Sequence, residues 1–138
     1  MVEEKDWNRA IIEEFRANEG KVGGPFEGFP LLLLHTTGAK SGQARVNPLA
    51  YQVDGDRLMV FASKAGAPTN PDWFYNVIAN PDVTVEVGTE TTSARATVLT
   101  GEERDRIWRR QVESAPTFGE YEDKSGRTIP VVALDRTG

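Results

Sequence analysis

The chain has 138 residues, 38% of them apolar and 27% charged, the size and balance of one soluble globular domain. Sixteen basic against twenty-one acidic residues leave a net charge of −5, which argues against non-specific nucleic-acid binding, because that needs clustered positive charge on phosphates. The absence of cysteine and the single histidine, His35, exclude disulfides, thiol nucleophiles and thiolate or histidine-rich metal sites, and argue against a Ser-His-Asp triad.

Residues 2–18 place Trp7, Ile11 and Phe15, with Ile12 beside them, at the four-residue step of one helix face. The other face is net acidic. The pattern predicts a helix packed on the domain; the alternative, a membrane-surface helix, usually carries Lys and Arg there. Weak association with the inner face of the cell membrane stays open. Residues 20–30 hold four glycines and two prolines and read as an irregular connection, so residues 1–28 are expected to be a helix and its link within a single domain spanning 1–138. No apolar run approaches the roughly 20 residues of a membrane span, and no export signal opens the chain. A cytoplasmic address is expected.

Residues 30–37 read as a strand apolar on both faces, 38–42 as a turn and 45–53 as a second strand. Pro48 cannot donate to a ladder, which puts that part of the strand at an edge or bulge. Asp54-Gly55 signals a hairpin into a third strand over 57–63, where Leu58, Val60 and Ala62 alternate with Met59 and Phe61. Asn70 suits an N-cap, Pro71 the first position and Asp72 the first turn of a helix that should end at Asn80-Pro81. Val83, Val85 and Val87 mark a half-exposed strand, and 91–99 another. Thr100 and Glu103 form a capping-box pattern opening a helix with Ile107, Trp108, Gln111 and Val112 inward. Residues 115–127 read as a polar loop carrying Phe118 and Tyr121, and 128–134 as the last strand. Six hairpin-linked strands with three helices predict a mainly β fold, a small closed or split antiparallel barrel, since closure removes exposed edges.

Two segments are not explained by propensity. Residues 36–48 gather hydroxyls, glycines, Lys40 and Arg45 around a tight turn, where backbone N–H groups can converge on an anion. The spacing is not that of a Walker loop, and a solvated hairpin with incidental charge is the competing reading. Residues 62–73 run from a strand end through a flexible turn into a helix start, a geometry suited to anions. Trp73 and Phe74 there are either an apolar wall or core residues of a short helix. Together the two segments suit an elongated ligand, anionic at one end and aromatic at the other. His35 reads as a hydrogen-bonded structural residue.

Thr36-Thr37-Gly38-Ala39-Lys40-Ser41-Gly42, then Arg45-Val46-Asn47-Pro48-Leu49, Ala62-Ser63-Lys64-Ala65-Gly66-Ala67, Asn70-Pro71-Asp72-Trp73, Asn76 with Ala79-Asn80-Pro81, and Arg127-Thr128-Ile129-Pro130-Val131-Val132 stand in the order found in deazaflavin-dependent nitroreductases, and from Phe29 onward the chain resembles that family. The resemblance implies a split β-barrel similar to flavin-binding pyridoxamine-oxidase-like proteins. It also implies coenzyme F420 as cofactor and hydride transfer from the reduced deazaflavin to a quinone-like or nitroaromatic acceptor. By the same resemblance Lys40, Ser41, Arg45 and Lys64 meet the anionic part of the cofactor, and Ala39 and Phe118 are among the cofactor-binding residues. Val46, Asn47, Pro48, Leu49 and Ala50, with Phe61, Ala62 and Ser63, line the deazaflavin, as do Asp72, Trp73, Phe74, Tyr75 and Asn76. Ser63 or Tyr121 would donate a proton or hydrogen bond, and Phe118 stands at the substrate wall. Family members active on nitroimidazole prodrugs carry tyrosines where this chain has Ala50, Ala115 and Phe118, so a quinone is the expected acceptor. A flavin mononucleotide enzyme on the same barrel and a non-catalytic deazaflavin carrier are the rival readings.

Overall fold

The computed structural model describes residues 4–20, 31–55, 57–63, 66 and 69–137. Its elements are α1 (Glu4–Ala17), β1 (Leu31–Thr37), β2 (Ala44–Asp54), β3 (Arg57–Phe61), α2 (Asp72–Ala79), β4 (Asp82–Val87), β5 (Glu90–Val98), α3 (Gly101–Ser114), α4 (Thr117–Ser125) and β6 (Val131–Arg136). The strands close a barrel in the order β1-β2-β3-β6-β5-β4, with every neighbouring pair antiparallel.

Strand alternation sorts the side chains into an inside and an outside. Leu32, Leu34, Leu58, Val60, Val85, Val132 and Leu134 fill the barrel, and α2 packs Trp73, Phe74 and Val77 into the same interior. Met59, Phe61, Val131 and Ala133 point outward and are covered by Ile107 and Trp108 of α3 and Phe118 of α4. Leu31 and Leu33 also point outward, beneath Ile11 and Phe15 of α1. The all-apolar run of β1 is thereby explained, because one face lies in the barrel and the other under a helix. α1 is held further by Arg16, whose Nη2 lies 2.8 Å from Glu86 on β4. His35 contacts the same carboxylate, and the bond from Arg16 holds the Glu86 carboxyl below its usual range. Ile11 and Phe15 of the α1 stripe are therefore buried. Among the described residues no helix is long and apolar enough to cross a membrane.

Three local expectations are corrected. Residues 117–125 form α4 rather than a loop: Phe118 turns into the aromatic cluster, and Gly126, at φ 67°, ends the helix in the left-handed conformation. Asn70 does not cap α2; Pro71 takes the N-cap position, and Asn70 Oδ1 accepts a hydrogen bond from Arg127 Nη1 at 2.6 Å. Thr100 stands at the N-cap of α3 without a side-chain cap bond, and Glu103 of the expected capping box pairs with Arg57 at 3.2 Å instead.

Candidate active site

β2 is longer than the strand beside it. Residues 44–50 pair with β1, whereas pairing with β3 begins at Tyr51, so among the described residues the first half of β2 is left without a β3 partner. Pro48 lies in this half, where a missing N–H is tolerated. Alternation divides the five residues expected to line a ring between two faces. Val46 and Ala50 pack toward α1, and Pro48 shares their side, while Leu49 packs into the barrel and Asn47 shares its side. Asn47 and Leu49 can therefore offer a ligand on the outer face only their backbone. Ala50 packs against both the α1 cluster and the α3–α4 cluster, so it sits at the seam where they meet.

The turn between β1 and β2 is built from its own polar groups. Gly38 N–H donates to Gln43 O at 2.8 Å, Gly42 N–H to Gly38 O at 3.0 Å, and Gln43 N–H to Ser41 Oγ at 3.2 Å. A Cβ at Gly38 would come within 2.5 Å of Ser41 Oγ, so a side chain there would have to displace the serine that bonds Gln43 N–H. Asn76 on α2 docks the whole turn. Its Oδ1 accepts the Ala39 N–H at 3.0 Å and its Nδ2 donates to Thr36 Oγ1 at 3.2 Å. Asn76, expected to line the ring, is buried and its amide is committed to the protein. Asn76→Ala should cost about 1–3 kcal/mol, the penalty for leaving buried partners without a hydrogen bond. Urea denaturation checks this, and an unchanged midpoint would contradict the docking role.

Lys40 and Arg45 stand exposed on this turn and at the start of β2, with no ion pair among the described residues. Arg16, Arg57, Arg95, Arg104, Arg106 and Arg110, by contrast, each face a carboxylate within 4.0 Å. The charge of Lys40 and Arg45 is thus available to an anion in solution. Lys64 lies outside the described residues.

Ser63 follows β3, half-buried, and Gly66 N–H returns to Ser63 O at 3.0 Å. Gly66, at φ 85°, presses on α4: a Cβ there would lie 3.2 Å from Tyr121 Cα. The β3–α2 connection carrying Ser63 therefore rests on the helix carrying Tyr121, and neither hydroxyl has a hydrogen-bond partner among the described residues. Phe61 meets Phe118 edge-on at 5.6 Å, and Phe118 meets Tyr121 at 5.4 Å. Phe118 and Ala115 are buried in that cluster, so they back the seam rather than stand free in it. Ala62, Trp73 and Phe74 belong to the barrel interior, which is a packing position and not a wall open to ligand. Asp72 and Tyr75 are exposed on α2, and Ala39 and Ser41 on the turn.

Arg127 has a part that sequence reasoning gave no role beyond motif membership. Its Nη2 donates to Ala62 O and Thr69 O, each at 3.0 Å, in addition to the Nη1 bond to Asn70. Its place directly after the glycine that ends α4, from which a long side chain reaches back across the domain, is visible only once that helix is known.

The fold defines the class: a mainly β split barrel with flanking helices, of the kind that pyridoxamine-oxidase-like proteins adopt. A putative pyridoxamine 5′-phosphate oxidase structure from Listeria innocua shares it at 15% identity and TM-score 0.56, covering 99% of this chain and 95% of that one. The family model for F420H(2)-dependent quinone reductases matches residues 7–136, and the chain belongs to that family. It is 40% identical over 126 residues to an F420H(2)-dependent quinone reductase of Mycobacterium tuberculosis, covering 88% of this chain and 85% of the relative. A solved F420-H2 dependent reductase is 41% identical with TM-score 0.71, covering 77% of this chain and 94% of that one. Another structure, described as a domain-swapped dimer, is 37% identical with TM-score 0.72, covering 96% and 100%. The protein is an oxidoreductase that uses coenzyme F420.

Proposed function

We propose that this chain reduces a quinone with F420H2 at the seam where Ala50 sits, between α1 and the α3–α4 pair. The observation that carries the reading is the pair of available cations, Lys40 and Arg45, beside a strand half with no β3 partner among the described residues. An elongated anion with a flat ring fits that arrangement: the acidic end meets the cations, and the ring lies against Val46, Pro48 and Ala50. When bound, the reduced deazaflavin supplies the hydride.

The protein's share is orientation and electrostatics. Asn76 holds the turn, and with it Lys40, in a fixed relation to α2. Ser63 and Tyr121 offer hydroxyls from two elements that meet at Gly66. Either can donate a hydrogen bond to an acceptor carbonyl oxygen as negative charge builds on it, which lowers the barrier for the transfer. The aromatic cluster of Phe61, Trp108 and Phe118 keeps the wall behind the seam apolar.

The same wall lacks hydroxyls at Ala50, Ala115 and Phe118, so a nitro group finds few donors. Each missing hydrogen bond costs about 0.5–1.5 kcal/mol, or up to roughly tenfold in kcat/KM. A quinone with an apolar tail recovers part of this by burial, at about 25 cal/mol per Å². The test is turnover with F420H2 of a menaquinone analogue against a bicyclic nitroimidazole. Quinone reduction with poor nitroimidazole turnover is expected. Preference for the nitroimidazole would refute the account of the wall. Saturable F420 binding without turnover of either acceptor would favour a carrier, and stoichiometric flavin mononucleotide released on denaturation would favour a flavoenzyme.

A further inference from the structure

We propose that Arg127 is a positioning residue that locks the connection carrying Ser63 to the helix carrying Tyr121. The proposal rests on the functional reading above for its catalytic consequence, and on geometry alone for its mechanical one.

One guanidinium bonds both to residues 62–63, which follow β3, and to residues 69–70, which precede α2. At the β3 end it donates to Ala62 O at 3.0 Å and Ser63 O at 3.4 Å. At the α2 end it donates to Thr69 O at 3.0 Å and Asn70 Oδ1 at 2.6 Å. The residue's own backbone is fixed to α4, because Arg127 N–H donates to Ser125 Oγ at 3.3 Å and Ser125 Oγ donates to Glu122 O at 3.0 Å. Gly126, in the left-handed conformation, delivers the chain from the helix end to this point. A continuous path thus runs from Tyr121 along α4, through the Ser125 bond, into the guanidinium and on to the carbonyl of Ser63. Gly66 against Tyr121 Cα is a second contact between the same two parts.

The acceptor set suits arginine and not lysine. A guanidinium presents five N–H donors in a planar fork, whereas an ammonium presents three on a single point and cannot span both ends of the connection. Burial depresses the guanidinium's proton affinity, in keeping with a group set into the protein. These four acceptors are groups of the protein, so through them Arg127 acts on the placement of Ser63 as a positioning residue.

The variants are Arg127→Lys and Arg127→Ala. The direct readout is hydrogen exchange in the free protein. The Gly66 amide, bonded to Ser63 O, should exchange at least about tenfold faster in Arg127→Lys, as expected for loss of hydrogen bonds to a charged group. The functional readout is kinetics at saturating F420H2. Here kcat for a menaquinone analogue should fall by about tenfold or more in both variants. Millimolar methylguanidinium should restore kcat in Arg127→Ala, and methylammonium should not. Unchanged Gly66 exchange and wild-type kcat in Arg127→Lys would overturn the proposal, as would rescue by both cations or by neither. If wild type fails to reduce the quinone, the functional reading falls, and the exchange experiment still decides the mechanical role of Arg127.

Discussion

Trp73→Ala is expected to lower the stability of the protein by about 3–5 kcal/mol, the range for emptying a buried aromatic site. Trp73 is 4% exposed and stands with Phe74, edge-on at 6.4 Å, in the barrel interior. Six hydrogen-bonded strands surround that interior, so the wall cannot collapse into the cavity. α2 has eight residues, too few to be helical by propensity alone, so its order depends on packing. The loss should therefore spread. With α2 loosened, Asn76 no longer holds Ala39 and Thr36, and the β1–β2 turn is released. Urea denaturation reads the effect as a lower midpoint at unchanged slope. Trp73→Phe, which keeps most of the apolar volume, should lose clearly less. A loss of stability below about 0.5 kcal/mol for Trp73→Ala, the range of ordinary surface substitutions, would mean that α2 does not close the barrel.

The barrel was legible because β3 and β4 carry a period of two, β1 is a short apolar run, and the turns carry Gly, Pro or Asp-Gly. Pro48 even marked the place where one neighbour is missing among the described residues. α4 was not legible: its nine residues are mostly polar, include Gly119, and bury only Phe118 and Ser125, so a helical stripe has little to show. Caps failed for a related reason. Asn70 and Glu103 have the right chemistry for local bonds, but arginines distant in the chain, Arg127 and Arg57, compete for them and win. The candidate site was legible as a list of residue types and not as a geometry. Ala62 and Trp73 belong to the same segment as Ser63, and Phe74 follows it, yet alternation and the helix turn send all three into the barrel. Asn76 looks like a ligand-binding amide in sequence, and only the fold shows that its two polar ends are already engaged.

Removing both Lys40 and Arg45 is expected to weaken F420 binding by roughly 10- to 100-fold at low salt, since each loses a charge-assisted contact. Both are exposed, so screening must matter: the deficit should shrink as ionic strength rises and the Debye length falls to about 8 Å at physiological salt. The control removes equal charge elsewhere. Arg9 and Arg136 are exposed on α1 and at the end of β6, on elements other than the turn. The deciding measurement is a fluorescence titration of F420 against wild type, Lys40→Ala/Arg45→Ala and Arg9→Ala/Arg136→Ala at several salt concentrations. An anion held at the β1–β2 turn predicts a large, salt-sensitive loss for the first pair and a change of less than about threefold for the second, the size of exposed-charge effects. Equal affinities for the two double variants at low salt would show that the cofactor's charge is met elsewhere.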